Sequence, residues 1–155
     1  LSSGIARIPE MLKLGVRVGL AVDGSASNDG SDLLEELRTG FLLHRLNSSS
    51  AAPTGYDMLK IATRGSASIL GRDDIGQIAE GMAADFFLIN MDRLSLTGAQ
   101  FDVSSMLGTV GYKGNVDYTV VNGRVVVREG RLTGVDEEKI TAEANHCVSR
   151  YLGRS

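Results

Sequence analysis

"GVRVGLAVDGSASNDGSDLLEEL", residues 15–37, decides how the chain is read. Its first part, Val16 to Val22, is almost continuously apolar and rich in β-branched side chains, with Arg17 as the only charge. Such a run suits a strand covered on both faces, as in a parallel sheet, better than a half-exposed strand, which alternates. The run stops at Asp23, and small polar residues follow as far as Gly30. Then "SDLLEELRTGFLLHRL" (31–46) places Leu34, Leu37 and Phe41 on one helical stripe, with Asp32 and Glu35 spaced as a capping box. Upstream, "IPEMLKLG" (8–15) has Pro9 at a first helical position and Gly15 where a helix would stop. Helix, strand, helix is the local order of a parallel α/β layer.

Further along, "PTGYDMLKIATRGSASILG" (53–71) predicts another helix, with Thr54 and Asp57 as a second capping box and Gly71 as its stop. Gly65 and two serines weaken its interior. From Asp74 the character changes. "DIGQIAEGMAADFFLIN" (74–90) and "VDYTVVNGRVVVREGRLTG" (116–134) are rich in β-branched and aromatic residues broken by glycines, and read as strands. Asn122-Gly123 between "YTVV" and "RVVV" predicts a two-residue type I′ hairpin, because both residues tolerate the positive φ it demands. "DEEKITAEANHCVSRYL" (136–152) opens with acids that suit a helix N-terminus and spaces Ile140, Ala144, Cys147 and Tyr151 along one face. A helical α/β piece up to about residue 71 is therefore followed by a β-rich piece and a terminal helix.

Composition bounds the function. With 155 residues, 43% hydrophobic and 23% charged, the chain has the balance of one ordinary folded domain. A net charge of -3 and a pI near 5.4 give no electrostatic reason to expect nucleic acid or an anionic membrane as partner. The single Cys147 excludes an internal disulfide framework. No run approaches the roughly 18 apolar residues of a membrane span, and no signal-peptide pattern is read, so a cytoplasmic setting is the expectation. The opening "LSSGIARIPEML" lacks an initiator Met and goes almost directly into helix-like sequence, which suggests a piece of something longer.

Asp23 closes a strand-like run and precedes a helix, a position where α/β folds put ligands and catalysts. It reads equally as a metal ligand or general base and as an aspartate of an Asp-Gly turn. Ser25, Ser27, Asp29, Gly30 and Glu36 imitate part of an EF-hand loop, but serines stand where that loop needs its first carboxylates, and calcium is rejected. An anion held at the N-terminus of the 31–46 helix is a third option, generic in character. His44 lies beside an apolar stripe and reads as structural. His146 and Cys147 are adjacent on a helix, so their side chains diverge and cannot chelate one ion together. Tyr112 and Lys113 make a polar turn with nothing to activate the lysine.

Taken together, "LSSGIARIPEMLKLGVRVGLAVDGSASNDGSDLLEELRTGFLLHR", "IATRGSASILGRDDIGQIAEGMAADFFLIN" and "VDYTVVNGRVVVREGRL" resemble the amidohydrolase superfamily, closest to 8-oxoguanine deaminase and the related triazine hydrolases. The resemblance covers nearly the whole chain but only about the last third of the family's length. It implies an α/β fold: the C-terminal part of a TIM-barrel metal-dependent hydrolase, with the last barrel strand and its helices in 1–71, part of the flanking composite β-sandwich in 72–135, and a C-terminal helix in 136–155. It implies that Asp23 binds a catalytic divalent metal, zinc, and moves a proton from water to departing ammonia. It also suggests that Ser25, Ser27 and Asn28 of the following loop contact substrate. The remaining metal ligands should lie before residue 1, so the chain alone should be inactive and hold no metal. At 96–107, "LTGAQFDVSSML" has Phe101 and Val103 where the deaminase branch tends to carry His and Pro. The implied substrate is an 8-oxoguanine-like purine, with triazine-type C–N bonds as the alternative. The implied associations are a small heterocycle, a second copy of the chain or the missing N-terminal part, with no nucleic acid and no membrane. A stand-alone β-rich binding or assembly module is the competing reading.

Overall fold

The computed structural model describes residues 4–154, with the side chain at position 49 left aside. The first three residues of the opening quoted above lie outside the described residues. The chain divides into two compact units, one of Leu1–Ala83 with Asn90–Gly114, the other of Ala84–Ile89 with Asn115–Ser155. The whole is mixed α/β, with one four-stranded sheet among the described residues.

In the first unit α1 spans Ile8–Lys13, with Pro9 in its first turn, where a missing N–H costs nothing. Gly15, at φ 73°, turns the chain out of it. α2 spans Leu33–Ser48 and buries Leu37 and His44. The Asp32 carboxylate accepts from Leu34 N at 2.9 Å and Glu35 N at 3.2 Å, so Asp32 caps the helix. α3 (Gly55–Lys60), a π-helical turn (Ile61–Gly65) and α4 (Ser66–Ile69) follow one another with right-handed helical backbone at the junctions. The capping box at their start is complete: Thr54 Oγ1 accepts from Asp57 N at 3.1 Å, and Asp57 Oδ2 accepts from Thr54 N at 3.0 Å. Lys60 Nζ lies 2.7 Å from Asp57 Oδ1. Lys60 first, then Thr54, hold the Asp57 carboxyl down at about 2. Gly71, at φ 67°, ends the run.

α5 (Met106–Thr109) packs on α2 and α3. Its approach to α3 is backbone to backbone, since a Cβ on Gly108 would lie 2.7 Å from Gly55 Cα. The unit's core includes Leu37, Met58, Ile61, Leu96, Met106 and Leu107, with the smaller Ala67 and Ala99 also buried.

Two strands expected from the sequence differ in the structure. Residues 16–22 are not a strand, because a strand exists only by its ladder to a neighbour and no strand among the described residues pairs with this segment. Nor is the segment covered on both faces: Val18 is buried, while Val16 and Ala21 are exposed. The long stretch 74–90 likewise forms a strand only over Phe86–Leu88. Gly76 and Gly81 take positive φ, and Ala83 N closes back on Asp74 O at 2.8 Å, which makes 74–83 a loop.

In the second unit, β1 (Phe86–Leu88), β2 (Tyr118–Val121), β3 (Arg124–Arg128) and β4 (Arg131–Leu132) form an antiparallel meander in chain order. Asn122 at φ 47° and Gly123 at φ 77° make the β2–β3 turn with the sign both positions require. Asn122 N donates to Asp85 Oδ1 at 2.5 Å, tying that turn to the approach to β1. α6 spans Glu137–Tyr151; Asp136 caps it by accepting from Lys139 N at 3.0 Å. No residue of α6 is buried, and its apolar face ends in a Tyr151 that is 90% exposed.

Candidate functional site

Asp23 stands where the apolar segment ends. Its backbone is left-handed, φ 67°, a conformation that Asp tolerates far better than β-branched residues do. Its side chain is exposed, and Oδ1 accepts from Gly24 N at 2.7 Å. Gly24 O then accepts from Ser27 N at 2.8 Å and Asn28 N at 3.0 Å, folding 24–28 into a tight turn with Ser25 and Ser27 exposed. Asn28 is half-buried: its Oδ1 accepts from Gly30 N at 2.9 Å, and its Nδ2 donates to Glu36 Oε1 on α2 at 2.6 Å.

The segment leading to Asp23 is held by the helix of α3 and α4. Ser66 Oγ accepts from Leu20 N at 3.1 Å and lies 3.4 Å from Leu20 O, while Arg17 donates to Ser68 O at 3.0 Å. Val18 O sits where a side chain at residue 65 would be, because a Cβ on Gly65 would come within 2.1 Å of it. Gly65 therefore reads as a contact residue: it lets one backbone lie directly on another. Glu36, Gly65 and Ser66 were missed as parts of this site, and the glycine inside a helical pattern was the signal available for them.

The remaining candidates lie elsewhere. His44 is buried at 5% exposure, Nδ1 2.7 Å from Gly40 O and Nε2 3.3 Å from Ala6 O, so it joins α2 to the N-terminal segment. Tyr112 is buried under the Arg93 guanidinium, 5.7 Å from the ring centre, and Lys113 is exposed. His146 and Cys147 are exposed on α6. The Glu36 that an EF-hand would need is bonded to Asn28, and Asp32 already takes two of the amides an anion would use at α2. A cavity of about 610 Å³ beside α2, lined by Leu34, Arg38, Leu42, Leu96, Val110 and Tyr112 among others, does not include Asp23. Among the described residues no three His, Cys, Asp or Glu side chains are grouped to hold a metal ion. A catalytic zinc site takes three protein ligands, so the described residues do not fit one by themselves.

The sequence profile of the amidohydrolase family matches residues 1–126. Over 151 residues the chain is 43% identical to a hydroxydechloroatrazine ethylaminohydrolase of Pseudomonas sp. (strain ADP), an overlap of 96% of this chain and 31% of that protein. Over 155 residues it is 39% identical to a 5-methylthioadenosine/S-adenosylhomocysteine deaminase of Pelotomaculum thermopropionicum, covering 99% of this chain and 36% of the relative. Among solved structures, the zinc complex of an atrazine chlorohydrolase from Arthrobacter aurescens TC1 superposes with a TM-score of 0.86 at 38% identity, covering 92% of this chain and 32% of that one. An adenosine deaminase from Xanthomonas campestris with bound zinc gives 0.87 at 26% identity, covering 97% and 34%. The chain spans about a third of the length of the curated relatives it matches. A match over this much of the chain, through the apolar segment, Asp23, its loop and the β2–β3 turn, settles the family: the chain belongs to the amidohydrolases.

Proposed function

We propose that the protein carrying this chain is a metal-dependent hydrolase that removes an amino group from an aminated nitrogen heterocycle, and that Asp23 carries its proton. The observation behind this reading is the amidohydrolase match, which takes in residues 16–22, Asp23 and the following loop together. The relatives described above bear triazine and adenosine-type names, which favours a purine or triazine whose amine sits on an amidine-like ring carbon. An 8-oxoguanine-like purine is one member of that class.

In the reaction, water adds to the ring carbon, the C–N bond breaks, and ring hydroxyl and free amine are the products. The amine departs only if it gains a proton, and the water attacks well only if it loses one. A carboxylate that takes the first proton and delivers the second serves both needs. Asp23 is exposed at the end of a segment anchored through Ser66 and Gly65, which suits that task. Ser25 and Ser27, exposed on the same loop, would contact substrate in this reading.

The cofactor we propose for the whole protein is one divalent metal, zinc, as in the solved relatives. Asp23 would be one of its donors, and the others would come from polypeptide outside this chain. The 155-residue chain alone is accordingly inactive in this reading. Within the larger protein, residues 1–71 would form the last part of a TIM barrel, with 16–22 as its closing strand, 72–135 part of a β-sandwich, and 136–155 a terminal helix. Leu46 at 85% exposure, Leu70 at 71% and Phe101 at 89% support association with more polypeptide or with a second copy. The unpaired, exposed Cys147 suits a reducing, cytoplasmic setting.

Amine release from an aminotriazine, an adenosine-type nucleoside and 8-oxoguanine, measured on the complete zinc-loaded protein, tests the proposal. Release from at least one of the three is the expected result. Release from none, by a folded and metal-loaded protein, would overturn it.

A further inference from the structure

The half-buried Asn28 sits between Asp23 and α2, and both ends of its side chain are engaged. Its backbone N–H is bonded to Gly24 O, and the next peptide hydrogen, Gly24 N–H, is bonded to the Asp23 carboxylate. A short relay of bonds therefore runs from Asp23 through Gly24 and Asn28 to Glu36. Its far end is fixed, because Glu36 N donates to Asp32 O at 3.1 Å within the capped first turn of α2. The near end is not self-supporting: Asp23 and Ser31, the residues that flank the loop, both hold left-handed backbone without being glycine. Such conformations are strained and persist only where surrounding structure imposes them.

We propose that Asn28 and Glu36 form a clamp that positions Asp23, so that Asn28 is a positioning residue rather than a substrate contact. The chemistry of the pair is directional. Asn28 must both accept, from Gly30 N, and donate, to the Glu36 carboxylate. An aspartate at 28 keeps the first function, loses the second and puts a like charge against Glu36. A glutamine at 36 then supplies the missing donor and removes that repulsion. This assignment rests on the proposed role of Asp23, and its test separates the two.

The test is a cycle of Asn28→Asp, Glu36→Gln and the double variant. Backbone amide exchange at Ser27, Asn28 or the substituted residue, and Gly30 is read alongside kcat and KM of the complete protein. In Asn28→Asp, exchange at these amides rises at least tenfold and kcat falls about tenfold to a hundredfold, the scale of a misplaced catalytic group, with KM changed less than threefold. Glu36→Gln alone is mild, since its amide oxygen still accepts. The double variant returns exchange and kcat to within about threefold of the starting protein. Unchanged exchange in Asn28→Asp, or failure of the double variant to restore it, would overturn the clamp. A loss confined to KM would overturn the positioning role and make Asn28 a substrate contact. If exchange follows the cycle while kcat is indifferent to it, the clamp stands as structure and its positioning role falls. A starting protein without turnover speaks against the proposed function, and the exchange arm still decides the clamp.

Discussion

Asp57 shows at the residue scale how a side chain can be read from its neighbours. It accepts from Thr54 N, receives the Thr54 hydroxyl at 2.7 Å and faces Lys60 at 2.7 Å, and these partners hold its carboxyl at about 2, against an ordinary 3.8. A carboxyl depressed in the folded state adds stability that is complete above about pH 4 and disappears as the pH falls through about 2. The side chain is 38% exposed, so solvent screening keeps the contribution below about 1 kcal/mol. Asp57→Asn should therefore lower the midpoint of thermal unfolding at pH 6 by a few degrees, and the difference from the parent should close between pH 4 and pH 2. A gap that stays constant over that range would count against the pairing. At Asp23 the carboxylate accepts from Gly24 N at 2.7 Å, and the backbone is left-handed, φ 67°.

At the scale of elements, the contact between residues 16–22 and the α3–α4 helix places the site. Gly65→Ala would put a methyl group 2.1 Å from Val18 O and force the two apart, with a destabilisation of about 1–3 kcal/mol. Gly134→Ala, which meets nothing within 4 Å and has no positive φ, should change stability by less than about 0.5 kcal/mol. Urea unfolding of both variants checks the contrast, and equal effects would remove the case for a backbone contact at Gly65. The same comparison explains what could be read beforehand. The Thr54–Asp57 box, the Asp32 cap and the Asn122-Gly123 turn were legible because each is closed by residues a few positions apart. The state of 16–22 was not, because strand character depends on a neighbour that local composition cannot specify. The 74–83 loop was misread for a related reason: its β-forming residues are overridden by Gly76 and Gly81. Gly65 was seen as a weakness in a helix, and its purpose appeared only when Val18 was placed against it.

At the scale of the molecule, the family was legible from motif, while the partners of Asp23 were not. Glu36 lies eight residues beyond Asn28, and Ser66 lies 46 beyond Leu20, pairings that only the fold brings about. The described residues include no group of three His, Cys, Asp or Glu side chains that could hold a metal, in a chain about a third the length of its curated relatives. Asp23 is the group we propose this chain brings to C–N hydrolysis. The direct measurement is kcat for amine release by the complete zinc-loaded protein and by its Asp23→Asn variant, with circular dichroism confirming that both are folded. Removing a proton-transferring carboxylate should reduce kcat by about 10²–10⁴-fold. An Asp23→Asn protein that turns over within a few-fold of the parent would contradict the assignment and return Asp23 to an ordinary turn residue.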